Sequence, residues 1–97
     1  MTINQTTEGG NTVLSLSGWL DTQTAPELED AVDALDETAG ALVFDFSELE
    51  YISSAGLRQL VAAHKKMGGN LTLRHVPGEI RNILKMAGFD KRLNIEE

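Results

Sequence analysis

Two adjacent serines, Ser53 and Ser54, followed by Ala55 and Gly56, are the residues of this chain best suited to carry chemistry. Val43, Phe44 and Phe46 precede them as a strand, and Leu57, Leu60 and Val61 follow at helical spacing, so the serines open a helix. A hydroxyl at a helix N-terminus, beside a glycine that leaves the backbone uncovered, suits the addition and removal of a phosphate. The free amides and the dipole at that end favour an anion. The plainer alternative is that one serine simply caps the helix by accepting an orphan N–H. Other chemistries fit poorly. A hydrolase elbow needs glycine two residues before its serine, where Ile52 stands, and no later Asp–His pair follows at a suitable spacing. His64 and His75 fall on different elements with no carboxylate at ligand spacing, and His64 reads as a core-edge residue. Cysteine is absent, as is any glycine-rich phosphate loop of either common spacing. No catalytic residue, metal or cofactor is expected.

The elements that must hold this turn are legible in order. Ile3 to Thr7 and Thr12 to Ser17 flank the turn signal Glu8-Gly9-Gly10-Asn11 and read as a hairpin. Gly18 marks a bulge or close approach, and Trp19 is either a core plug or an exposed anchor, burial being the ordinary expectation for a large ring. Thr24-Ala25-Pro26-Glu27 has the form of a capping box, with Leu28, Ala31, Val32 and Leu35 on the apolar side of its helix. Acids fill the other side; Asp36 and Glu37 oppose the dipole near its end, and Gly40 closes it. Ala41 to Phe46 is nearly continuously apolar, the pattern of a central strand covered on both faces, and Ser47 to Ile52 reads as a loop. A helix over Ala55 to Met67 ends at Gly68-Gly69, and Asn70 to Val76 alternates as a strand. Pro77 opens a last helix with Ile80, Ile83, Leu84 and Ala87 inward and Gly88 as its stop. Phe89, Leu93 and Ile95 fit a docked edge segment. The order β-β-α-β-α-β-α-β predicts an α/β fold with a mixed, mostly parallel sheet packed against helices.

Ninety-seven residues fit one domain, 1–97, with one core and no deep cleft. The net charge of −7 is uneven: all eight basic residues lie between Arg58 and Arg92, and eleven of the fifteen acids precede Arg58. Nucleic acid is excluded as a main partner, since phosphate binding needs a coherent basic face. An acidic face steers a basic partner, or simply keeps the protein soluble. The absence of a signal-like start or a long apolar run predicts a cytoplasmic protein without membrane insertion.

Asp45-Phe46-Ser47, a short spacer and then Ile52-Ser53-Ser54-Ala55-Gly56-Leu57 resembles the signature of STAS domains, particularly of bacterial anti-sigma factor antagonists. Gly18-Trp19-Leu20-Asp21 is similar to the family's Gly-x-Leu-Asp segment, and Val76 to Leu84 with Gly88-Phe89 to its closing helix. The resemblance spans essentially the whole chain. It implies a STAS fold and an anti-sigma factor with serine-kinase activity as partner. That partner phosphorylates the serine two residues before the glycine, here Ser54, and a serine phosphatase resets it. The unphosphorylated form binds the anti-sigma factor and frees a sigma factor. The implied partner surface takes in Asp21, Ser53, Ser54, Ala55, Gly56, Leu57 and Arg58. Ser53 replaces the Asp common before the acceptor and leaves a competing hydroxyl, while Ala55 stands where Ser or Thr is frequent. A monomer or weak dimer is expected. The alternatives are a STAS subunit that uses the same surface without phosphorylation, in a lipid-transport complex or a signalling scaffold, and an esterase acting through Ser54.

Overall fold

A computed structural model describes residues 1–35 and 40–96. The chain runs β1 (Thr2–Glu8), β2 (Asn11–Leu20), α1 (Ala25–Asp33), β3 (Leu42–Ile52), α2 (Ser54–Lys66), β4 (Leu71–Arg74), α3 (Gly78–Met86), a 3-10 turn (Phe89–Lys91) and β5 (Asn94–Ile95). The five strands lie in sequence order in one sheet, β1 antiparallel to β2 and every later pair parallel. The expected element order and sheet type are therefore observed. Gly9 and Gly10, at φ 56° and 84°, make the two-residue turn that joins β1 to β2 with the twist a hairpin needs.

Each parallel pair is joined by a helix, and strand order never reverses, so same-handed crossovers put every helix on one face. One cluster results. Leu14, Leu16, Leu42, Phe44, Phe46, Leu71 and Leu73 from the sheet meet Leu28, Val32, Leu60, Ala63, Ile80 and Leu84 from the helices. The other face carries no helix, which corrects the expectation of a doubly covered central strand. Val43 and Asp45 alternate with Phe44 and point to that open side, where a polar strap replaces a second layer. Arg74 reaches from β4 to Asp45 of β3 (Nε–Oδ2 3.1 Å) and on to Glu8 of β1 (2.8 and 3.2 Å, bidentate). His75 leaves β4 in the left-handed region (φ 53°), and its Nδ1 lies 3.0 Å from Asp45 Oδ2. A carboxylate thus meets His75 through the fold although the sequence shows none at ligand spacing. Val13 is buried yet outside the helix-side cluster, on the side this strap crosses.

Burial opposes ionisation of Asp45, but hydrogen bonds from Ser47, Arg74 and His75 outweigh it and hold the carboxyl at about 2. A depressed carboxyl stabilises the fold above its unfolded pKa and loses that contribution as pH falls towards the folded value. Asp45 is therefore expected to contribute roughly 2 kcal/mol at neutral pH, fading between about pH 4 and pH 2. Urea unfolding at pH 7 and pH 2.5 measures this: the gap between the parent protein and Asp45→Asn should be large at the first pH and small at the second.

The region read as a loop from Ser47 to Ile52 is strand. Between the pairs Ser15↔Asp45 and Leu20↔Ile52, β3 advances seven residues while β2 advances five, with two register shifts. The bulges space the inward residues Phe46, Leu49 and Ile52 three apart. That spacing fits neither a strand nor a helix period. Trp19 is 56% exposed and packs beside Tyr51, ring centroids 5.1 Å apart and the planes tilted by 45°, so it plugs no core. Gly40 does not close α1, which ends at Asp33 with Ala34 as its cap. At φ 74° it lies against the hairpin turn, where a Cβ would overlap the Gly10 carbonyl oxygen. Asp36 and Glu37 fall outside the described residues. The Gly88 stop after α3 (φ 80°) and the short edge strand at Ile95 are found as expected. Among the described residues no helix is long and apolar enough to cross a membrane.

Candidate functional site

The two serines occupy different structural positions. Ser53 has extended backbone (φ −97°, ψ 177°) and caps α2, its hydroxyl accepting from the Gly56 amide at 3.4 Å. Ser54 is the first helical residue, and its side chain is exposed and makes no hydrogen bond among the described residues. One hydroxyl is spent on the fold; the next is available to solvent. The plainer reading of the pair as a helix cap accounts for Ser53 and leaves Ser54 without a structural task.

The helix start is fixed to the end of β2. Ser53 donates its backbone N–H to the Leu20 carbonyl (2.9 Å), continuing the parallel pairing of β2 with β3 by one residue. Gly56 faces the same junction and is buried. A Cβ there would lie 2.8 Å from Leu20 Cγ, 2.8 Å from Ile52 Cγ1 and 3.0 Å from the Leu20 carbonyl oxygen. The glycine therefore leaves no open backbone, contrary to what its position beside the serines suggested. It is small because α2 packs directly on the strand ends.

Asp21 follows Leu20 and so flanks the helix start. Its Oδ1 accepts the backbone N–H groups of Gln23 (3.0 Å) and Thr24 (3.1 Å), and its carbonyl accepts from Ala25 (2.8 Å). The expected capping box is absent. Thr24 sits in the right-handed helical region (ψ −18°) with no cap bond of its own. Its hydroxyl instead donates to the Trp19 carbonyl (2.7 Å) and accepts from the Asp21 amide (2.8 Å). Asp21 is the working cap of this turn, which fixes its carboxylate at the C-terminal ends of β2 and β3. Ligand sites of parallel sheets form at such strand ends.

The remaining expected residues lie along the same helix. Ala55 and Leu57 are half-buried against the core, while Arg58 is exposed four residues after Ser54, one turn along. Asp21, Ser53, Ser54 and Gly56 are thus brought together at one end of the sheet, with Arg58 on the adjoining turn. Among the described residues no group of three or more His, Cys, Asp or Glu is arranged to hold a metal ion. Sequence reasoning missed the partnership of Trp19 with Tyr51, register partners one residue before Leu20 and Ile52. Strand alternation contained the signal, since an inward Leu20 turns Trp19 outward.

Comparison with known proteins gives the geometry its setting. The family model described as "Mlab, STAS domain" matches residues 3–96. The chain is 32% identical over 98 residues to the anti-sigma-F factor antagonist RsfB of Mycobacterium tuberculosis, covering 98% of this chain and 80% of the relative. A crystal structure of an anti-sigma factor antagonist from Mycobacterium paratuberculosis superposes with a TM-score of 0.87 at 33% identity, over 97% of this chain and 83% of that one. An anti-sigma-factor antagonist domain protein from Planctomyces limnophilus shares the fold, with a TM-score of 0.76 at 18% identity over 96% and 87% of the two chains.

Proposed function

The chain belongs to the STAS domain family, and on that premise we propose that it acts as an anti-sigma factor antagonist switched by phosphorylation of Ser54. In this reading residues 1–97 work as one cytoplasmic domain. The unmodified form binds an anti-sigma factor with serine-kinase activity through Asp21, the Ser53–Leu57 turn and Arg58, and so frees a sigma factor. Phosphate on Ser54 ends the binding and a serine phosphatase restores it. The names of the relatives at 32% and 33% identity support the coarse role. The observation that carries the switch is the Ser54 hydroxyl, exposed and without a hydrogen bond among the described residues, at the first position of a 13-residue helix.

The physical chemistry supports a switch that leaves the fold intact. A phosphate adds about −1.5 to −2 charges at neutral pH. At this position the helix dipole and free amides tolerate it, and the Arg58 guanidinium lies one turn away. The change falls on the outer surface beside the Asp21 carboxylate, where a partner that covers it must desolvate the added charge and where added bulk blocks a close fit. Ser53 is the less accessible acceptor, because it is half-buried and its hydroxyl is already turned to the Gly56 amide, whereas Ser54 is exposed.

Incubation with a cognate anti-sigma kinase and ATP, followed by phosphopeptide mass spectrometry, tests the proposal. One phosphate on Ser54 is expected, and Ser54→Ala should accept none. Phosphate on Ser53 alone overturns the choice of residue. No phosphate on either serine favours the unswitched subunit, and ester turnover that vanishes in Ser54→Ala favours the enzyme.

A further inference from the structure

We infer that Trp19 and Tyr51 form a second anchor of the partner interface, receiving a basic, arginine-bearing segment of the anti-sigma factor. The inference rests on the partner reading above and adds a surface to it. Trp19 and Tyr51 are 56% and 41% exposed, and their ring centroids lie 5.1 Å apart at 45°. They pair across β2 and β3 immediately before Leu20 and Ile52, which turn into the core. Both rings therefore stand on the sheet face without helices. Large rings left in water at a surface are the usual anchors of protein interfaces.

The pair is continuous with the Ser54 site. Leu20 and Ile52 lead directly into Asp21 and Ser53, and the Thr24 hydroxyl that takes the Asp21 amide also holds the Trp19 carbonyl. A partner seated over Asp21 and Ser54 reaches these rings by extending over the edge of the sheet.

Charge selects the occupant. Glu48 and Glu50 are exposed on β3 and take part in no ion pair among the described residues. Glu50 is the extra residue of a bulge, between Leu49 opposite Gly18 and Tyr51 opposite Trp19. No Lys or Arg precedes Arg58 in the sequence, so β1, β2 and β3 bring no basic side chain of their own to this rim. Two exposed aromatic rings with Glu48 and Glu50 on the strand leading to Tyr51 match a guanidinium, which stacks on rings and bonds carboxylates through the same planar group.

The experiment titrates a cognate anti-sigma factor into the unmodified protein, following the emission of Trp19, the only tryptophan of this chain. Calorimetry on variants gives the affinities. A change in Trp19 emission is expected on binding. Trp19→Ala and Tyr51→Ala should each weaken binding about thirtyfold, and Glu50→Lys about tenfold, at unchanged melting temperature. Binding by both aromatic variants at the parent affinity, with Ser54→Asp defective, overturns the anchor and leaves the switch standing. A patch that serves copies of this chain shows concentration-dependent dimers by sedimentation that Trp19→Ala abolishes, and this also overturns it. If the unmodified protein binds no anti-sigma factor, the function proposed above fails and the anchor's partner fails with it.

Discussion

Ser54→Asp is expected to melt within a few degrees of the parent protein yet bind the anti-sigma factor about a hundredfold more weakly. Both halves follow from where the hydroxyl sits. An acidic side chain in the first turn of a helix interacts favourably with the dipole, by a few tenths of a kcal/mol at an exposed position. The Ser53 cap and the bond from Ser53 to Leu20 do not involve the Ser54 side chain, so the junction stays assembled. Binding is different, because a partner that covers Ser54 must desolvate the new charge. A misplaced interfacial charge costs several kcal/mol, of which about 3 is enough for the hundredfold loss. Ser54→Ala, lacking both phosphate and charge, should bind at the parent affinity and resist inactivation by the kinase. Calorimetric titration of the three proteins decides it. Equal affinity for all of them would place the partner elsewhere on the molecule.

Gly56→Val should be the most damaging small change at the site, lowering the melting temperature by about 15 °C, or about 3 kcal/mol. The first added carbon already falls 2.8 Å from two buried side chains at atoms near their stems, and 3.0 Å from a backbone oxygen. Leu20 and Ile52 are 0% and 2% exposed and have nowhere to turn. Either α2 lifts from the strand ends or the Asp21 turn moves. Gly56→Ala separates packing from helix preference. Alanine in a helix interior gains about 1 kcal/mol over glycine, so a net loss shows that the clash wins. Thermal denaturation measures both variants, and an alanine variant more stable than the parent would show that the junction has room to spare. A second expected result is that Gly56→Ala weakens partner binding beyond its loss of stability, because Asp21 and Ser54 are registered through this contact.

Much of the fold was legible because local periodicity and turn chemistry agree with the tertiary arrangement. The Gly9-Gly10 hairpin, the helices α1 and α2, and the Gly88 stop each follow from residues close in sequence. The errors have a common cause in contacts between distant segments. The span Ser47 to Ile52 looks like a loop because its apolar residues recur every third position, a spacing produced by two bulges against β2. Thr24-Ala25-Pro26-Glu27 has the composition of a capping box, but Trp19 and Asp21 take up the Thr24 hydroxyl first. The Asp45 strap joins residues from β1, β3 and β4, so no window of sequence contains it.

At the serine turn the division is clear. The sequence by itself determined that a hydroxyl pair opens a helix, because apolar spacing changes from strand to helix across Ser53-Ser54 and serine suits a helix start. It also determined the resemblance of that turn to one family. Only the tertiary structure decided which hydroxyl is spent and which is exposed, since Ser53 is fixed by its bond to Leu20 on a neighbouring strand. The same contact decided the task of Gly56, which is to let α2 close onto β2. A glycine written beside two serines looks like open backbone; packed against Leu20 and Ile52, it has no room for a side-chain carbon.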